Sequence, residues 1–186
     1  MVKHRDLFEQ WKKVGLDTLM LGYESPSAKH LEKYNKNIAV ETQIQATKYL
    51  KEMALNFEPL FIIDPDFDGE DFRELKAYVN NQKYFWPGYS ILTPFPGSPL
   101  YKEIHSKITT KDWNLYDGAH AVAGTRLPEK EFYRLYRDIL MGIPFYNRII
   151  ALMRYPLLKL PAVILSLMKT RKKQLVHNLN VINVDK

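Results

Sequence analysis

Glu24-Ser25, Asp64 and Thr93 hold equivalent places in the sequence: each closes a short, continuous apolar run. A carboxylate ending a buried apolar strand must find a hydrogen-bond or charge partner, because burying it bare is costly. In parallel α/β folds the C-terminal strand ends form the rim where ligands bind, since loops there vary without disturbing the core. The plainer reading is that polar residues mark where strands meet water. The spacing gives a location, not a reaction. His120, in YDGAHAV, is a further candidate, either facing a substrate or packed within its loop. Cysteine is absent from all 186 residues. That excludes disulfides, thiolate catalysis, zinc ribbons and a cysteine-held iron–sulfur cluster within this chain. Neither G-x-G-x-x-G nor G-x-x-x-x-G-K-[ST] occurs, which sets aside a self-contained nucleotide-binding domain.

The elements that must position these residues follow from periodicity. Residues 17–24, 57–64 and 84–93 read as buried strands, because their apolar residues run on instead of alternating. Between them the spacing is helical. Leu7, Phe8, Trp11 and Val14 share a face that Gly15 closes, and Val40, Ile44, Thr47 and Leu50, with Ala54, mark a second helix. Phe72, Leu75 and Val79 mark a third, with Asp68 as N-cap. Alternation of this kind predicts an α/β fold built from right-handed βαβ units on a parallel sheet. A later helix covers residues 129–140, where Phe132, Leu135, Tyr136 and Ile139 share a face and Pro128 sits near the first turn.

Charge divides the chain unevenly. Residues 1–140 carry 19 Lys/Arg and 20 Asp/Glu, a net of −1; residues 141–186 carry 8 Lys/Arg and one acid, Asp185, a net of +7. The tail mixes that charge with aliphatic runs, which suits an anionic membrane surface better than nucleic acid. Its other reading is a set of short helices, broken by Pro144, Pro156 and Pro161, packed over a core. Its longest apolar run falls short of the roughly 20 residues that span a bilayer. MVKHRDLFEQWKK lacks the apolar stretch of a signal peptide, so the expected location is cytoplasmic, with peripheral contact at the inner membrane face. The expected organisation is βα units over 1–105, a connecting segment and helix over 106–140, and a basic, apolar tail over 141–186. Three strands are also few for a parallel sheet. The strand at 17–24 would leave an open edge, to be covered by something preceding Met1 or by self-association.

Four motifs carry a resemblance. GLDTLMLGYES followed by LEKYNKN resembles the fourth strand of radical SAM barrels, with its Gly-x-Glu-Ser ending and Leu-x-x-x-x-Lys spacing. FIIDPDFDGEDF is similar to the fifth strand and its exit loop, and YSILTPFPGSPLY to the sixth strand. TTKDWNLYDGAHAV and RLPEKEFYRLY resemble the segment after the barrel in cobalamin-binding members. The form of the fifth-strand loop looks most like the cobalamin-binding enzymes related to hopanoid C-3 methylase, with the anaerobic magnesium-protoporphyrin monomethyl ester cyclase a more distant relative.

The resemblance implies the C-terminal half of a partial TIM-type barrel, about three βα units, followed by a helical tail. It implies a C-methyltransferase in which S-adenosylmethionine yields a radical that removes hydrogen from an unactivated carbon and methylcobalamin donates the methyl group, on a polycyclic lipid such as a hopanoid. By position, Glu24 and Ser25 would face the ribose or amino end of S-adenosylmethionine, and Lys36 its carboxylate. Asp64 would line the adenine side; Thr93 and Pro94 would close the pocket. The departure is that the family's [4Fe–4S] cluster needs three cysteines and this chain has none. The expectation is therefore a partial cofactor pocket, not competent alone, paired with an N-terminal radical SAM and cobalamin-binding half on a separate chain. The alternative is a non-catalytic scaffold that pairs with another protein and docks on membranes.

Overall fold

Residues 18–24 and 56–63 line up as parallel strands because both are apolar on the side that meets the helices. The computed structural model describes residues 3–84 and 86–142. They form two units, residues 1–63 with 70–90, and residues 64–69 with 91–186 as far as these are described.

In the first unit the order is α1 (Arg5–Lys13), β1 (Thr18–Glu24), α2 (Ala28–Lys33), α3 (Val40–Glu52), β2 (Asn56–Ile63), α4 (Gly69–Gln82) and β3 (Gly88–Ile91). The three strands make a parallel sheet in the order β1-β2-β3. Thr18 pairs with Asn56 and the register holds to Gly22 and Leu60; it then slips, so that Glu24 pairs with Phe61. Leu19 and Leu21 of β1, with Phe8, Leu16 and Phe57, pack on a core of Tyr49, Leu50, Met53 and Leu55. Phe72, Leu75 and Val79 of α4 are buried as their spacing predicts, and Asp68 immediately precedes that helix.

Three expectations need correction. Leu7 and Trp11 of α1 and Val14 just after it are exposed, and only Phe8 of that set packs on the core. The reason is that α1 flanks β1, which is an edge strand among the described residues. One helix was expected between the first two strands and there are two, since α2 has only six residues and is too short to show a period. The third strand spans Gly88–Ile91, not 84–93. Pro87 and Pro94 lie on either side of it and neither can donate a backbone hydrogen bond. Tyr84 instead points into an aromatic core.

In the second unit, residues 64–69 form a tight turn held by Phe67 N–H on Asp64 O (2.9 Å), and Arg126 reaches it through its amide to Pro65 O (2.9 Å) and its guanidinium to Asp68 (3.1 Å). Ser98 caps α5 (Pro99–Glu103), accepting from Tyr101 N–H at 3.1 Å with Pro99 next to it. Ile108 and Ala123 form an antiparallel bridge. The last described helix, α6 (Glu129–Met141), buries Phe132, Tyr133, Tyr136 and Ile139. Leu135 is only half-buried, and Tyr133 takes the place in the core that spacing alone did not assign it. Among the described residues no helix is long and apolar enough to cross a membrane. The tail segments expected beyond residue 142, and the membrane contact assigned to them, lie outside the described residues.

Candidate functional site

Glu24 is where β1 stops being a regular strand. Its φ is +65°, and the Ser25 amide donates to Tyr23 O at 2.8 Å, so Glu24 is the centre of a γ-turn of the rarer hand. Holding a non-glycine residue there costs on the order of 1–3 kcal/mol. Among the described residues, the other non-glycine residues at positive φ are Asn35, Ala54 and Lys83. Each follows a helix C-terminus, where the left-handed conformation is an ordinary cap. Glu24 alone of the four closes a strand.

Lys36 reaches the same place by a separate device. Helix α2 ends in a Schellman motif: Asn35 is left-handed at φ +54°, its amide donates to Glu32 O (2.9 Å), and the Lys36 amide donates to Leu31 O (2.8 Å). The chain thereby turns back, and Lys36 Nζ lies 2.8 Å from Glu24 Oε1. The carboxylate is largely buried, 16% exposed, while the lysine is 41% exposed. Gly22 makes the room: a Cβ there would meet Glu24 Oε1 at 2.5 Å. Ser25 is buried with its hydroxyl accepting from Ser27 N–H at 3.1 Å, which fixes the entry to α2.

A carboxylate and an ammonium side by side match the two ends of an amino-acid zwitterion. Glu24 can accept from an α-ammonium, and Lys36 can donate to an α-carboxylate. These residues fit the amino-acid end of S-adenosylmethionine. Nothing here fits an iron–sulfur cluster: the chain has no thiolate, and the described residues contain no group of three or more His, Asp or Glu able to hold a metal.

The sequence-assigned residues thus separate. Glu24, Ser25 and Lys36 come together in the first unit; Asp64, Thr93, Pro94 and His120 belong to the second. There Asp64 is buried and its Oδ1 accepts from Asp66 N–H at 2.9 Å, while the Thr93 hydroxyl donates to Ile91 O at 2.9 Å and Pro94 is buried. His120 is 1% exposed, with Nδ1 at 2.9 and 3.1 Å from the two Asp117 oxygens. Asp117 also accepts from the amides of Ala119 (2.8 Å) and His120 (3.2 Å). That makes His120 part of the scaffold of its own loop.

Burial opposes ionisation of Asp117, but hydrogen bonds from the His120 ring and the Ala119 amide, with the charge of His120, outweigh it and hold the carboxyl below its ordinary range. A depressed folded value stabilises the protein above the unfolded one, near pH 4, and that stabilisation disappears as pH falls through the folded value. Asp117→Asn is therefore expected to lower Tm by a few degrees at pH 7, about 1 kcal/mol after allowance for its partial exposure. The gap should close on acidification below about pH 4, as thermal melts across pH would read.

Two more ionisable groups escaped sequence reasoning. His30 Nε2 lies 3.6 Å from Asp71, both largely buried, with the imidazole stacked on Tyr34. Glu58, in the middle of β2, is pushed up by burial and lies against Gly88, where a Cβ would come within 2.8 Å of its Oε1. Its polar place inside the run FEPLF was the one available signal.

No protein-family model matches the chain. It is 30% identical over 133 residues, 72% of its length, to hopanoid C-3 methylase of Methylococcus capsulatus. This chain is similar to hopanoid C-3 methylase. The same resemblance extends to bacteriochlorophyllide d C-8(2)-methyltransferase of Chlorobaculum tepidum, 32% identical over 58% of the chain, and to anaerobic magnesium-protoporphyrin IX monomethyl ester cyclase of Cereibacter sphaeroides, 24% over 62%. The matched stretch covers 26% of the hopanoid C-3 methylase, 25% of the second relative and 19% of the third, so the chain spans about a quarter or less of each of these three. The family resemblance drawn from the motifs, with hopanoid methylase and the more distant cyclase, is borne out.

Proposed function

We propose that residues 3–142 form a C-terminal, S-adenosylmethionine-facing part of a cobalamin-dependent radical SAM C-methyltransferase acting on a rigid polycyclic substrate. The observation that carries this reading is the Glu24–Lys36 pair at the C-terminal end of β1, where a strained turn and a helix cap converge to set a carboxylate 2.8 Å from an ammonium. The names of the relatives support the substrate class, since hopanoids and bacteriochlorophyllides are both large polycyclic molecules. In this reading Glu24 and Lys36 bind and orient the amino-acid end of the cofactor. Bound S-adenosylmethionine and cobalamin would supply the radical and methyl chemistry, which protein groups orient and shield from water.

In this reading the cluster is held by cysteines outside these 186 residues, in a stretch that we set against the outer edge of β1, where a parallel sheet needs a further strand or a cover. Residues 141–186, with their net charge of +7, are proposed to contact an anionic membrane surface at which a lipid-like substrate resides.

Calorimetry on the full chain tests the cofactor assignment. S-adenosylmethionine is expected to bind, and Glu24→Ala and Lys36→Ala are each expected to weaken it tenfold or more, consistent with losing a charged hydrogen bond. Methylthioadenosine, which lacks the amino-acid group, should be bound equally by all three proteins. A folded wild-type sample that takes up no S-adenosylmethionine, or variants that bind it unchanged, would overturn the assignment.

A further inference from the structure

Gln43 is a buried amide on α3, 3% exposed. Its Nε2 donates to Tyr23 O at 2.9 Å and to Ser25 O at 3.1 Å, the carbonyls on either side of Glu24. Its Oε1 accepts from the Tyr78 hydroxyl at 3.3 Å. The amide therefore spends both its hydrogens on one turn and is itself held by a residue of α4. Flipping it would set an oxygen against two carbonyl oxygens, so only one orientation satisfies the network.

The turn needs such a bracket. Glu24 stands at φ +65° immediately after the register slip in β1, and a strained conformation persists only where its surroundings over-determine it. The Ser25–Tyr23 hydrogen bond closes the turn locally but leaves the direction of the Glu24 side chain to the backbone on both sides. Gln43 ties those two sides to one rigid group on a helix. Burial raises the Tyr78 phenol above its ordinary value, which keeps its proton in place as the donor to Gln43.

We propose that Gln43 is a positioning residue: its amide brackets the Glu24 turn and so aims the carboxylate back over Gly22 onto Lys36, with Tyr78 orienting the amide from behind. The ligand half of this inference rests on the cofactor reading above; the geometric half does not. A glutamate would not serve in its place, because an ionised carboxylate facing two carbonyls has no hydrogen to give either.

The test uses the full chain and three variants, Gln43→Leu, Gln43→Glu and the milder Tyr78→Phe, which removes only the group that orients the amide. Amide hydrogen exchange at Ser25, measured without ligand, reads the turn directly. Gln43→Leu is expected to lower Ser25 protection tenfold or more while the amides of β2 keep theirs, and Tyr78→Phe to lower it severalfold. Protection in Gln43→Glu should recover in part at acid pH, where the protonated side chain regains one donor. Calorimetry with S-adenosylmethionine should then show affinity falling in the same order as Ser25 protection. Unchanged Ser25 protection in Gln43→Leu and Tyr78→Phe overturns the inference, as does lowered protection with unchanged affinity in variants of a wild type that binds. A wild type that binds no S-adenosylmethionine, with Ser25 protection lost in the variants, overturns the cofactor reading and upholds the bracket.

Discussion

Phe61→Ala is expected to cost about 3–5 kcal/mol, enough to remove much of a total stability of roughly 5–15 kcal/mol. Phe61 is 1% exposed on β2, the central strand, and its ring lies 6.0–6.2 Å from those of Tyr23, Tyr78, Tyr84 and Tyr89. These rings meet edge-on, tilted or stacked, so truncation opens a cavity that four aromatic walls cannot collapse to fill. Below them a hydroxyl chain joins Tyr23 to Thr47 (2.9 Å) and Thr47 to Tyr84 (3.0 Å). Buried hydroxyls of that kind depend on fixed geometry, which the loss of Phe61 would loosen. Phe61 also pairs with Glu24 where the register of β1 slips. The same substitution should therefore disturb the candidate site. Urea unfolding of the full chain reads the effect, and a loss below about 1.5 kcal/mol would mean that the aromatic cluster is not the centre of the core.

The parts legible in the sequence are those whose cause is local. β1 and β2 stand close to their expected bounds, but β1 is not buried on both faces as its continuous apolar run implied: its burial alternates and Met20 is exposed. Helix α4 shows its period over fourteen residues. The order of motifs also revealed the relatives before any geometry was known. What was not legible depends on distant partners. The apolar face of α1 is real in pattern, yet whether it is covered depends on what lies beyond β1. That Lys36 meets Glu24 rests on Asn35 adopting a left-handed cap, a hint present in the sequence; that the two are only 2.8 Å apart also needs the slipped register and the bare Cα of Gly22. Gln43 is the plainest case. A polar residue on an amphipathic helix predicts a solvated face, and its burial is decided by the end of a strand twenty residues earlier. His120 is the opposite case, since its imidazole lies against Asp117, a partner only three residues before it in the same loop.

Charge reversal at the candidate site should separate recognition from stability. Glu24→Lys and Lys36→Glu are each expected to weaken S-adenosylmethionine binding about 100-fold or more, since each leaves like charges adjacent and sets one end of the ligand against its own sign. Their effect on Tm should be small by comparison, because Lys36 is 41% exposed and such a pair contributes under about 1 kcal/mol. The double variant is the decisive protein. It restores an ion pair between the same two positions, so stability should return to the wild-type level. Binding should not return, because the ammonium and carboxylate of the ligand keep their order relative to its adenosine while the charges of the protein have exchanged places. Recovery of binding in the double variant would mean that the pair acts only as a structural tie. Recovery of stability without binding would mean that the polarity of the pair, from Glu24 to Lys36, is what the ligand reads.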